Sequence, residues 1–107
     1  MKTYMGHRPG EVVILEDHQP HRPLRWRLDL RNHSPTGLEW GYGGSGPSQL
    51  ALAILADALG DAFAVEHYQA YKWDVIARMP YDGWEISEIN VRTWAQSTER
   101  QGSPTEE

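Results

Sequence analysis

Apolar residues follow two different rhythms along this chain. In the first forty or so positions they come in short runs or alternate, and from Leu50 onward they recur at helical spacing. Residues 3–5 and the better run Glu11-Val12-Val13-Ile14-Leu15 predict short strands. Residues 16–23 carry two prolines, two histidines and two acids, and predict a loop. Leu24, Trp26, Leu28 and Leu30 then alternate with Arg25, Arg27, Asp29 and Arg31. That period of two predicts a strand over 24–30 with one face buried and the other solvated. Ser34-Pro35-Thr36-Gly37 has the composition of a β-turn. Leu38, Trp40 and Tyr42 alternate again beyond it, so the turn is expected to close a hairpin.

The helical half begins at Pro47, a residue tolerated in the first turn because its missing N–H would be unpaired there. Leu50, Leu52, Ile54, Leu55 and Leu59 spread over more than half the circumference before Gly60, expected as a left-handed cap. A helix so apolar is expected to be the centre of the core. A second helix is expected from a capping Asp61 to about Met79, with one buried stripe and an outer Asp74–Arg78 pair. Pro80-Tyr81-Asp82-Gly83 breaks it, Trp84-Glu85-Ile86 is extended, and Ser87 caps a third helix over 88–98. Residues 101–107 contain no apolar side chain and read as a disordered tail. The order predicts one α+β domain over 1–100: an antiparallel sheet of three to four strands packed on a central apolar helix plus two further helices.

Composition narrows the class. A chain of 107 residues buries roughly two-thirds of its unfolded surface and needs no staples. With no cysteine, disulfides and thiolate metal sites are excluded, and a cytoplasmic location is expected. No apolar run reaches the roughly 18 residues of a membrane span, and nothing near Met1 resembles a signal peptide. The net charge of -5 divides unevenly: residues 1–33 hold six Lys/Arg against four Asp/Glu, the remainder four against eleven. So acidic a chain is not expected to bind nucleic acid, although Arg22, Arg25, Arg27 and Arg31 line the outer face of the expected third strand.

The most unusual stretch is Trp40-Gly41-Tyr42-Gly43-Gly44-Ser45-Gly46-Pro47-Ser48-Gln49. From His33 to Ala53 the chain resembles the signature of a family of small uncharacterised proteins, a domain of unknown function found in bacteria, archaea and phages. The resemblance extends from about Tyr4 to Trp94, including Tyr71-Lys72-Trp73 and the Trp84 to Trp94 pattern. It implies no activity, and there are no catalytic residues to transfer.

Each candidate chemistry has a structural counterpart. Gly43, Gly44, Ser45, Gly46, Ser48 and Gln49 precede or open a helix, where backbone N–H groups can hold an anion. The lysine of a phosphate-binding loop and the βαβ context of a dinucleotide site are both missing, so no cofactor is expected. The structural reading of the same glycines is a sharp strand-to-helix turn. Ser45 sits as in a nucleophile elbow, with His33 and Asp29 as conceivable partners, yet helix capping explains it better. His18 and His21 read as solvated loop residues rather than metal ligands. Trp73 falls off the core stripe of its helix and, with Tyr42, is a candidate anchor for a protein partner. A non-enzymatic binding module around the glycine turn is the leading expectation, and a small anion or nucleotide binder the alternative. An enzyme or a single-stranded nucleic-acid binder ranks below both.

Overall fold

The strand β1 (Lys2–His7) lies inside the sheet because it finds a partner on each side. The computed structural model describes residues 1–102, with side chains as far as 98. β1 pairs antiparallel with β2 (Glu11–Glu16) on one edge and with β4 (Gly83–Ser87) on the other. A two-residue β3 (Arg22–Pro23) extends β2, giving the order β3-β2-β1-β4. With α1 (Ser45–Leu59), α2 (Asp61–Asp74) and α3 (Glu88–Gly102) this is an α+β architecture of four antiparallel strands and three helices among the described residues.

Period-two alternation sets which side of the sheet meets the helices. Ile14, Tyr4 and Ile86 stand in one cross-strand row, and Val12, Gly6 and Trp84 in the next. Gly6 makes room for the indole of Trp84: a Cβ there would stand 2.5 Å from the ring. The Trp84 ring then meets Trp40 edge-on at 5.6 Å between centroids. On the helix side, Leu50, Leu52, Ile54 and Leu55 of α1 are fully buried, so the expected central helix is the core. Gly60 ends it at φ 99° and ψ 163°, a positive φ but not the helical left-handed cap expected.

Two expected strands do not form. Residues 24–30 carry the alternating pattern but pair with no strand beyond Pro23, and 38–42 likewise join no sheet. Arg27 is the physical reason for the first, since it takes φ 60° and turns the chain, with Leu30 N–H donating to Arg27 C=O at 3.0 Å. Its guanidinium is held by Asp29 and by Asp61 at 2.9–3.0 Å. That hydrogen-bonded guanidinium lowers both carboxyls from their ordinary value. Asp61 is therefore spent on Arg27 and does not cap α2, whose N-cap is Gly60. The turn at 34–37 does form, with Ser34 Oγ donating to Gly37 C=O, but no hairpin follows.

The remaining differences are local. Within the expected 16–23 loop, Arg22 and Pro23 pair with β2. α2 stops at Asp74, five residues before Met79, and a 3-10 turn follows over Ile76–Arg78. Asp74 consequently accepts from Trp94 Nε1 at 2.9 Å instead of pairing with Arg78. Ser87 caps α3 as expected, its Oγ accepting from Asn90 N–H at 3.1 Å. Of the expected tail, the first two positions belong to α3, and 103–107 lie outside the described residues.

Candidate functional site

The early end of α2 positions the glycine turn. The Ile76 carbonyl, which also accepts from Met79 N–H at 3.3 Å, accepts from Gly41 N–H at 3.0 Å. Leu38 and Trp40 are buried just before it, so the chain leaves the core at Gly41 and re-enters at Gly46. Gly41 has φ 87°, a conformation that favours glycine. What lies between is a short exposed stretch of backbone fixed at both ends.

Three aromatic rings rest on that stretch. A Cβ on Gly43 would run into Cη2 and Cζ3 of Trp73, so the indole lies directly against the glycine. A Cβ on Gly44 would stand 3.0 Å from Cε2 of Tyr42, and one on Gly41 3.7 Å from Cδ1 of Tyr81. All three rings are open to solvent: Tyr81 is 62 %, Trp73 57 % and Tyr42 48 % exposed. Only six large apolar side chains are exposed among the described residues, and half of them gather on these few glycines. The glycines are seats for aromatic rings.

Two cations complete the surface. The Arg8 guanidinium carbon lies 4.3 Å from the Trp40 ring centroid and 3.6 Å from that of Tyr81. Its Nε donates to Tyr81 C=O at 2.9 Å and its Nη1 to Glu39 Oε1, so one side chain fixes the 80–82 turn against the core. The Lys72 ammonium stands 4.2 Å from the Trp73 ring centroid.

The residues singled out in the sequence divide sharply here. Tyr42, Gly43, Ser45 and Trp73 are exposed and adjoin one another or lie one position apart, with Gly44 half-buried among them. Gly46 is buried under Glu39, whose Cβ would stand 2.7 Å from a Cβ at that glycine. Ser48 and Gln49 are buried as well. Gln49 Oε1 accepts from His33 N–H at 2.8 Å and Ser34 N–H at 3.2 Å, while Nε2 donates to Trp26 C=O at 2.6 Å and Arg31 C=O at 3.0 Å. Its amide is fully used by the 26–34 loop and has nothing left to offer a ligand. Ser45 makes no capping bond; the N-cap of α1 is Gly44.

The conceivable triad is not assembled. Asp29 is bound to Arg27, and His33 Nε2 is 2.6 Å from Tyr68 Oη. The basic row is also dispersed, since Arg22 pairs with Glu16 at 2.9 Å and Arg27 with Asp29 and Asp61. Among the described residues no group of three or more His, Asp or Glu side chains could hold a metal ion, the His18 and His21 loop included. Two hollows lie elsewhere: one of about 320 Å³ beside Thr3, Leu15 and His21, and one of about 50 Å³ between Arg25, Ala53 and Asp57. Lys72, Tyr81 and Arg8 are the contributors that sequence reasoning passed over. Lys72 stands between two aromatics and Tyr81 at the tip of a Pro-Gly turn, the signals that pointed to them.

Among the described residues no helix is long and apolar enough to cross a membrane. The model of a family of unknown function, DUF6166, matches residues 4–97, and the chain belongs to that family. The comparisons with curated proteins and with solved structures found no match.

Proposed function

We propose that this member of the DUF6166 family is a non-enzymatic binding module that engages a protein partner through Tyr42, Trp73 and Tyr81. One observation carries the reading: half of the large exposed apolar side chains are aromatic rings held on a single glycine-rich turn. Rings braced against backbone lose little freedom on binding, which is what makes Trp and Tyr effective anchors. A cytoplasmic setting accords with a chain free of cysteine.

Trp73→Ala tests it. Because the ring is 57 % exposed, its removal is expected to shift the melting temperature by only a few degrees. Loss of a central anchor costs a complex about 2 kcal/mol or more, roughly thirtyfold in affinity. Affinity capture with wild-type and Trp73→Ala protein, followed by mass spectrometry, should lose its specific partner in the variant. An unchanged set of captured proteins contradicts the reading.

A second reading rests on the start of α1, where no side chain caps the helix and no acid lies in the first turn. The Ser45 N–H and the positive helix end there suit a small anion, such as phosphate or a nucleotide. With Gly46, Ser48 and Gln49 buried, this site reduces to Gly43, Gly44 and Ser45, and the protein partner is the better supported of the two.

A further inference from the structure

Lys72 is only 8 % exposed, yet it makes no ion pair or hydrogen bond with any described residue. Lysines are seldom buried so deeply without a counter-charge. The ring of Trp73 at 4.2 Å offsets part of that cost. The last turn of α2, where Lys72 stands, supplies at most about half an opposite charge. The Lys72 nitrogen is not among the sealed polar atoms (Arg8 Nη2, Tyr71 Oη and Trp84 Nε1), so its tip keeps contact with solvent. The other cation of the surface, Arg8, is already neutralised by Glu39. Lys72 thus brings to the aromatic surface a positive charge with no counter-charge among the described residues, set beside the exposed indole of Trp73.

We infer that the partner presents a carboxylate-bearing segment, with its Asp or Glu on the Lys72 ammonium and a neighbouring apolar side chain on Trp73 and Tyr42. This rests on reading the aromatic surface as a protein-binding site. The Lys72 ammonium, 4.2 Å from the Trp73 ring centroid, places the carboxylate at the Trp73 end of the surface. The free N–H of Trp73 and the hydroxyl of Tyr42 have no acceptor among the described residues and remain available to the backbone of the segment.

The test is a titration of ¹⁵N-labelled protein with Ac-Glu-Leu-Glu-Leu-NH2, with Ac-Gln-Leu-Gln-Leu-NH2 and with inorganic phosphate. The acidic peptide is expected to move the Gly43 amide and the Trp73 indole resonances. It should bind roughly tenfold more tightly than the glutamine peptide, equivalent to about 1.4 kcal/mol. Lys72→Met should bring the two peptides level, and Lys72→Arg should keep the preference. Equal affinity of the peptides for wild-type protein, a comparison that needs no variant, overturns the carboxylate assignment and leaves the binding surface standing. Phosphate matching the acidic peptide at the same resonances overturns it in favour of the anion site. Failure of both peptides to move those resonances counts against the binding surface itself, and the inference falls with it.

Discussion

Gln49→Ala is expected to cost the protein roughly 3 kcal/mol of stability and to lower its melting temperature by roughly 12 to 24 °C. The side chain is fully buried and serves four backbone groups of the 26–34 loop. An unsatisfied buried donor or acceptor costs about 1–3 kcal/mol. The loop lies at the surface and can turn some of these groups to water, which keeps the total well below four such penalties. Gln49→Glu is expected to fail nearly as badly. A carboxylate still accepts from His33 and Ser34, but it cannot donate to the Trp26 and Arg31 carbonyls and it buries a charge. Thermal unfolding followed by circular dichroism measures both variants. A melting temperature within a few degrees of wild type for Gln49→Ala contradicts the structural role.

Trp40→Ala is the other large effect, with an expected loss of about 3–5 kcal/mol. This ring is fully buried and ties its own segment, which joins no sheet or helix, to three other points of the chain. It stacks on Arg8 of the β1–β2 turn, meets Trp84 of β4 edge-on, and donates from Nε1 to Tyr81 C=O at 2.9 Å. Trp40→Phe separates packing from hydrogen bonding. It keeps much of the buried area and forfeits the indole donor, worth about 1 kcal/mol. Urea denaturation of the two variants should therefore show a small loss for phenylalanine and a large one for alanine. Equal losses would place the energy in the hydrogen bond rather than in the ring.

The elements that were legible in the sequence are those whose partner is implied by their own periodicity. α1 announces its burial by leucines on most faces, and β2 its strand by a β-branched run. The alternation over 24–30 is regular and forms no strand. Period two says only that a segment is extended with one side inward; it does not say what satisfies the backbone. Here a side chain from α1 does so, and the clue was a glutamine standing in an otherwise apolar helix. Arg27 at positive φ then breaks the run, a choice fixed by Asp61 thirty-four residues away and invisible locally.

The candidate site was legible in outline. Its glycines, Tyr42 and Trp73 were singled out separately, the former for an anion and the latter for a partner. What a one-dimensional reading lacked was that α2 stops at Asp74 and lays Trp73 against Gly43. The Trp73 ring covers Gly43 and leaves no room there for a side chain. The same logic removes Ser48 and Gln49, which face inward once α1 is packed.

The contact between Gly43 and Trp73 is the point on which the proposed binding surface depends, and nuclear Overhauser measurements on the free protein test it directly. Gly43 α-protons shifted upfield by the indole, with cross-peaks to Hη2 and Hζ3 of Trp73, are the expected result. Gly43 α-protons at ordinary shifts, with no cross-peak to that ring, would contradict it.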